Sequence, residues 1–286
     1  MISVIVPVYE HWHLVPGLLA RLEAQTLPQT EFEVLLVDNG SSQFDPPDTL
    51  PKNARVLHWP TPGSYSARNH ALEQACGEWI AFTDADCLPQ ADWLEQIKRE
   101  ADACGTRPTV LAGAIQMLRS NDRPNAYEMY DLVKGIPQAW YVSRGYATTA
   151  NLVAPAALIR ELNGFDSNRY SGGDAAFCRK AVAHGASLRF IPQAVVEHPA
   201  RSSWEALATK ARRIKGGQLT GGSQRQRMQW LLRTFTPPLI AFWRFLRATE
   251  QPMRYRFMAV AVQSRIWALE MGEVVRLAAK GGAERR

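Results

Sequence analysis

Cysteine is scarce in this chain of 286 residues: four, at positions 76, 87, 104 and 178, with no CxxC pair among them. Neither a disulfide framework nor a cysteine zinc site can be read from that spacing, which suits reduced thiols in a cytosolic protein. No apolar run reaches the roughly 18 residues that a membrane-spanning helix needs. The opening MISVIVPVYE has no basic segment ahead of a cleavable apolar one, so no secretion signal is read there. Low-complexity tracts and internal repeats are also missing. So is a glycine-rich basic loop after the first strand, where a nucleotidyltransferase would hold a triphosphate; that place reads VPVYEHWHL.

Charge is present but unevenly spread. Residues 1–198 carry a balance of −6 and residues 199–286 a balance of +12, giving the net +6. A uniform nucleic-acid-binding protein would not divide in this way, and no nucleic-acid partner is expected. The division also suggests a boundary: a domain over 1–202 and a basic, aromatic-rich helical extension over 203–286.

The first hundred residues alternate strand and helix patterns. Strands are expected at 2–6, 33–37, 54–58 and 78–82, with helices at 14–25, 64–76 and 90–103. Continuous apolar strands between helices predict a parallel sheet covered on both faces, an α/β fold. Ligands of such sheets sit beyond the carboxyl ends of the strands. Polar residues gather at those ends: Pro7-Val8-Tyr9-Glu10, Asp38-Asn39, and Asp84 with Asp86. Residues 105–150 look irregular and suit a substrate-facing region, and order returns over 155–198 with helices and strands near 188–191 and 195–198.

The stretch FTDADCLP at 82–89 poses a chemical problem. Alternate residues of an extended segment point to the same side, so Asp84 and Asp86 leave the strand end together. Unpaired, the two carboxylates would repel and one would hold its proton. A cation relieves this; a solvated turn or a helix N-cap is the plainer alternative. Cys87 reads as a small buried filler.

Several motifs in order resemble the inverting GT-A glycosyltransferases of family 2. They are Ser3-Val4-Ile5-Val6-Pro7-Val8-Tyr9, Val37-Asp38-Asn39-Gly40-Ser41, Ser66-Ala67-Arg68-Asn69 and Phe82-Thr83-Asp84-Ala85-Asp86. Thr149-Ala150-Asn151, Gly164-Phe165-Asp166, Gly173-Asp174 and His198 follow, so the likeness spans about residues 2–201. It implies a GT-A, Rossmann-like nucleotide-diphospho-sugar transferase fold and a nucleotide-sugar donor, with a UDP-sugar favoured. Pro7, Tyr9, Glu10, Asp38, Arg68, Asp84 and Asn151 would face that donor, Asp38 at the base or ribose. Asp86 and His198 would hold Mn²⁺ or Mg²⁺, which neutralises a departing diphosphate without a dedicated protein cage. Arg68 would meet phosphate or orient the acidic pair.

Inversion needs one in-line displacement and a base at the acceptor hydroxyl. Asp174 fills that place, although an Asp entering a helix is also a good N-cap. The family commonly shows an acidic pair here with another acid two residues on. This chain reads Gly173-Asp174-Ala175-Ala176 and keeps one acid. Trp140 and Tyr141, in the loop 135–145, are able to stack on a sugar or simply to pack.

The tail begins with Lys210, Arg212, Arg213 and Lys215, read as a pyrophosphate lid, a lipid-facing patch or a solvated helix face. Beyond it, MQWLLRTFTPPLIAFWRFLR is broken by Pro237-Pro238 into two short helices. It suits either an anionic membrane surface or a homodimer contact. The acceptor is expected to be a carbohydrate or a lipid-linked saccharide, as in cell-envelope or exopolysaccharide assembly. The location is expected to be cytoplasmic, with peripheral attachment to the inner face of the plasma membrane as an option. A catalytically degenerate scaffold and a nucleotidyltransferase are the competing readings.

Overall fold

A computed structural model describes residues 1–169, 171–221 and 223–280 of the chain. It divides into two compact units. One comprises Met1–Gln116, Pro137–Asn168 and Gly173–His198; the other holds Met117–Ile136 and the described residues of Arg169–Gly172 and Pro199–Arg286. The extension expected from residue 203 thus has an earlier partner in the chain, and its residues 281–286 lie outside the described residues.

The first unit is built on an eight-stranded sheet of order β3-β2-β1-β4-β7-β6-β8-β5. The strands are β1 (Ile2–Val8), β2 (Phe32–Asp38), β3 (Ala54–His58), β4 (Trp79–Phe82), β5 (Leu88–Pro89), β6 (Thr109–Leu118), β7 (Leu152–Pro155) and β8 (Ser187–Pro199). β3, β2, β1 and β4 are parallel, as expected. The later strands make the sheet mixed: β7 runs antiparallel to β4 and to β6, and β5 antiparallel to β8. The segment read as irregular contains ten-residue β6 and two helices, and the two strands expected near 188–198 are one continuous β8. The sequence of β8 (SLRFIPQAVVEHP) is interrupted by polar and charged residues and two prolines, and β6 (TVLAGAIQML) has a mid-strand glycine, so neither shows the continuous apolar run that made the first strands readable.

Apolar alternation in β1 splits the core in two. Val4, Val6 and Val8 pack with Leu18 and Leu22 of α1 (Val15–Glu23) and with Trp93, Leu94 and Ile97 of α3 (Trp93–Asp102). Ile5 faces the other way, into a cluster with Ala67 and Ala71 of α2 (Ser64–Gln74), Ile159 of α6 (Ala156–Glu161) and Phe177 of α7 (Gly173–Ala183). Helices on both faces leave the strands no water, hence their near-continuous apolar sequence.

Strand direction sets the position of every polar end. In register, Val8 lies opposite Asp38, and Ile5 opposite Phe82. The turn after β4 therefore emerges at the same edge as the turns after β1 and β2. β7 enters antiparallel, pairing Leu152 with Phe82, so Asn151 arrives at that edge from the other direction.

The second unit is helical: α4 (Ala126–Lys134), α8 (Trp204–Thr220), α9 (Gln224–Thr234), α10 (Leu239–Leu246) and α11 (Met253–Lys280). The short α5 (Gln138–Val142) belongs to the first unit. A capping box of Asn125 and Glu128 starts α4, and Ser223 with Gln226 forms another at α9. Pro237-Pro238 separates α9 from α10, as the sequence suggested. Tyr130, Leu207, Phe245, Tyr255 and Ile266 share the core.

The basic segment at 210–215 is not a uniformly solvated face. Lys215 is buried, reaching Glu270 at 3.2 Å and Thr234 Oγ1 at 3.0 Å. Near Lys210 lies the Asp131 carboxylate of α4, which accepts from the Arg201 backbone N–H and guanidinium at 3.0 Å each. Burial is the main force on Lys210; with Arg201 and Lys134 beside it, it lowers the ammonium pKa to about 7 against the pull of Asp131.

An unfolded Lys210 binds a proton up to its ordinary 10.5, whereas the folded one releases it near 7. Between those values folding expels a proton, so its contribution to stability grows as pH rises and is lost as pH falls toward 7. Urea unfolding of wild type and Lys210→Met at about pH 7 and about pH 9 checks this: the variant's stability gain over wild type is largest near pH 7 and shrinks toward pH 9.

Candidate active site

Helix α2 supplies the centre of the site. Arg68 is buried, and its Nη2 donates to Asp84 Oδ1 at 2.5 Å while Nη1 reaches Ser64 O at 3.3 Å. Three residues earlier on the same helix face, the Tyr65 hydroxyl donates to Asp174 Oδ1 at 3.2 Å. Asp174, in the first turn of α7, also accepts from the Ala175 N–H at 2.8 Å and feels the Arg68 charge. Burial dominates there and raises the Asp174 pKa, with Ala175, Arg68 and Tyr65 pulling the other way. The carboxylate expected to act as base is thus held in a place that strengthens its hold on a proton.

Asp86 faces His198 at the end of β8. Its Oδ2 lies 3.6 Å from His198 Nε2, longer than a direct hydrogen bond. Asp86, Cys87 and His198 form a group whose ligand atoms all fall within 4.8 Å of one another. Burial, reinforced by the adjacent Asp86 and Asp84, raises the Cys87 thiol well above its usual pKa, and a soft thiol suits Mn²⁺ or Mg²⁺ less than the other two groups do. A carboxylate oxygen and an imidazole nitrogen remain, a donor set that suits Mn²⁺ or Mg²⁺ once phosphate oxygens join it. The residues fit the ion that the resemblance implies.

The strand-end residues β1 and β2 contribute are tied to each other. Glu10 sits in the left-handed region with φ 57°. Its carboxylate accepts from Ser42 N at 2.8 Å and Ser42 Oγ at 3.0 Å, and its own N–H donates to Ser41 Oγ. The Ser42 backbone bond lowers its pKa. Asp38 is fully buried: Trp12 Nε1 and His58 Nδ1 approach its two oxygens at 3.0 Å each, with the Gly40 and Ser41 N–H groups at 3.2 and 3.4 Å. Here it organises the loop, and the exposed group it holds is His58. Pro7 and Tyr9 are partly exposed at the same edge.

Asn151 departs from expectation. It is fully buried, accepts from Trp93 Nε1 at 3.0 Å and donates to Ala114 O and Ala194 O at 2.8 and 2.9 Å. Both amide protons are committed to strands β6 and β8, so it ties the sheet together beneath the site instead of meeting a sugar. Gly113 makes room for it, since a Cβ there would collide with the Asn151 amide and with Ala194 O.

Sequence reading also missed what the other motifs do. Asn69 grips the backbone of Phe165, donating to its carbonyl at 2.7 Å and accepting from its N–H at 2.9 Å. Gly164, at φ 64°, has no space for a side chain against Asn69. The Phe165 ring so placed packs 5.5, 5.1 and 5.0 Å from those of Tyr65, Phe82 and Phe177, flooring the site. Tyr65 was legible in principle from its place one turn before Arg68. In α5, Trp140 is exposed with Arg144 over its ring at 4.1 Å, and Tyr141 stacks on Tyr146.

Asn151→Ala strands the Trp93 indole N–H and two carbonyls in the core. At about 1–3 kcal/mol per buried group left unpaired, it is expected to cost about 3–5 kcal/mol. Urea unfolding measures that loss, and the folded fraction should keep its donor KM within about twofold.

Comparison with known proteins agrees with this geometry. The sequence model described as Glycosyl transferase family 2 matches residues 3–139. Glycosyltransferase AglE of Haloferax volcanii is 33% identical over 225 residues, which cover 75% of this chain and 72% of that protein. A pre-mycofactocin glycosyltransferase of Mycobacterium tuberculosis is 30% identical over 179 residues, 59% of this chain but 38% of its own. Staphylococcus aureus TarS 1–349, solved with UDP, superposes with a TM-score of 0.54 at 22% identity over 98% of this chain and 92% of that one. The mannosyltransferase PcManGT of Pyrobaculum calidifontis, solved with GDP-Man and Mn²⁺, gives 0.55 at 18% identity over 99% and 76%. With the sequence relatives fixing the family and the solved structures the fold, this chain belongs to glycosyltransferase family 2 and is a glycosyltransferase of GT-A fold.

Proposed function

We propose that the chain is a metal-dependent, inverting glycosyltransferase. It moves a sugar from a nucleotide-diphosphate donor, a UDP-sugar first, to a hydroxyl of a carbohydrate or lipid-linked saccharide in the cytoplasm. The observation that carries this is the α2 pair: Arg68 holds Asp84 on the donor side while Tyr65 holds Asp174, whose proton affinity is raised, on the other.

Each group has a defined task. Asp174 accepts the acceptor hydroxyl proton at its carboxylate as the oxygen attacks. Tyr65 fixes the direction of that carboxylate. Arg68 neutralises Asp84 and keeps it from repelling Asp86. Its Nε is the one buried side-chain donor of the sheet unit without a protein partner among the described residues, which fits an anionic donor group completing the site. A divalent ion held by Asp86 and His198 would supply charge neutralisation on the departing diphosphate. UDP and Mn²⁺ are the first choices because TarS was solved with UDP and PcManGT with Mn²⁺.

The direct test is nucleotide release from UDP-, GDP- and dTDP-sugars with Mn²⁺. One donor should be hydrolysed slowly, with loss on chelation and a drop of about 100-fold or more in Asp86→Ala, while Asp174→Asn keeps Mn²⁺-dependent nucleotide binding without transfer. Wild-type protein that binds no nucleotide in the presence of Mn²⁺ or Mg²⁺ overturns the proposal.

The pH–rate profile tests Asp174 separately. Because its pKa is raised, activity should fall on acidification at a pH above the ordinary carboxylate range. Tyr65→Phe removes a hydrogen bond that favours the charged form, so that acidic limb should move to still higher pH. An unmoved limb with only a lower plateau would assign Tyr65 to packing.

A further inference from the structure

Three helices of the second unit turn apolar side chains toward solvent in regular stripes. Met228, Leu232 and Phe235 follow i, i+4, i+7 spacing along α9 and its C-cap, with Leu232 64% exposed. Leu239, Trp243 and Leu246 repeat that spacing along α10, where Trp243 is 57% and neighbouring Ile240 78% exposed. Met253 and Phe257 add another pair on the first turns of α11. Thr234, Phe245, Tyr255 and Ala259 occupy the inward sides of the same helices.

α10 is therefore apolar on both sides, with Phe245 in the core and a Leu-Trp-Leu stripe outside. A water-facing helix carries polar residues on that outer side. Single exposed hydrophobes need no explanation, but a series of them repeated along three consecutive helices marks an interaction surface. Its members are held in place by the unit: Trp267 Nε1 of α11 donates to Thr234 O at 2.7 Å, and Lys215 reaches the Thr234 hydroxyl.

Charge identifies the occupant. Between residues 223 and 248 there are five arginines, at 225, 227, 233, 244 and 247, and no Asp or Glu. Arg254 and Arg256 continue the series, with Glu250 the single acid before residue 260. Arg247 lies 4.2 Å above the Trp243 ring and Arg233 5.5 Å from that of Trp230, so aromatic and cationic groups form a joint surface. A second copy of the chain meeting this face by a two-fold contact would bring arginine against arginine with almost no carboxylate to pair them. Phosphate-bearing headgroups supply that missing charge, and the acyl boundary beneath them accepts Leu, Ile and Trp side chains. Among the described residues no helix is long and apolar enough to cross a membrane, so the contact is with the surface.

We infer that the face built from α9, α10 and the first turns of α11 docks on an anionic lipid surface, lying in the headgroup layer. This rests on the helical unit alone and stands whether or not the proposed transfer reaction does.

Sedimentation of the full chain with vesicles tests it, using phosphatidylcholine alone and with about one third phosphatidylglycerol. Wild type should partition onto the anionic vesicles and be released by high salt. The Ile240→Ser/Trp243→Ser double variant should lose at least tenfold. At about fivefold per basic residue near such a surface, Arg225→Gln/Arg233→Gln/Arg247→Gln should lose roughly 100-fold on anionic vesicles. Ile240 and Trp243 are exposed, Arg233 and Arg247 rest on exposed Trp rings, and unchanged urea midpoints confirm intact folds. No preference for anionic vesicles overturns the inference. So does a wild-type dimer in sedimentation velocity that Ile240→Ser/Trp243→Ser converts to monomer, since a second copy would then cover the face.

Discussion

The buried guanidinium of Arg68 is the constraint around which the site is arranged. A charge removed from water in this way costs several kcal/mol unless it is paired at good geometry. Asp84 provides that partner at 2.5 Å, Ser64 O takes a second donor, and Asp174 contributes through space. The consequence runs outward in both directions. Asp84, neutralised, stands one residue from Asp86 without repelling it, so Asp86 is left to face His198. Asp174, half-buried near the same cation, is restrained by it against the desolvation that favours its neutral form. One residue on one helix thereby connects the half of the site proposed to meet a diphosphate with the half proposed to meet a hydroxyl.

The sheet explains why these groups meet at all. Four parallel strands deliver their carboxyl ends to one edge, and the antiparallel β7 brings its amino end to the same edge. What arrives from β7 is used differently from what arrives on the parallel strands. Parallel strands end in turns open to solvent, where Glu10 and Asp84 stay partly exposed. Asn151 precedes a strand with sheet on both sides, so its amide meets the backbone of β6 and β8 before it can meet a ligand.

That difference marks what the sequence disclosed and what it withheld. The first four strands with their shared direction and the break at Pro237-Pro238 were legible because they depend on local pattern, apolar runs and proline chemistry; the acidic pair was legible as residues, but it leaves β4 in a turn closed by Cys87 N–H to Asp84 O at 3.0 Å and not as extended chain. The antiparallel half of the sheet was not legible, since no regular strand–helix alternation there fixes the direction in which β7 joins β4 and β6. Asn69 and Asn151 illustrate the same limit. Each stood in a motif suggestive of chemistry, and each proves to hold backbone, one at Phe165 and the other across β6 and β8. The partial burial of Lys210 and the full burial of Lys215 were likewise invisible, because a run of basic residues gives no sign that Asp131 and Glu270 lie opposite.

The thinned acidic motif before α7 also has a steric cause. Where the family pattern carries a second acid, this chain has Gly173, and a Cβ there would stand 2.6 Å from the Tyr65 ring. The missing side chain and the presence of Tyr65 are one feature: the ring occupies the space, and its hydroxyl reaches Asp174. Loss of a neighbouring carboxylate removes like-charge repulsion, which would itself have raised the Asp174 pKa. Burial supplies that elevation instead, with Tyr65 and Arg68 restraining it. A proton affinity set by burial and one hydrogen bond depends little on ionic strength, whereas one set by a second acid would be screened by salt. The proposed base thus keeps a raised proton affinity while what tunes it changes, which weighs against reading the lost acid as a mark of lost catalysis.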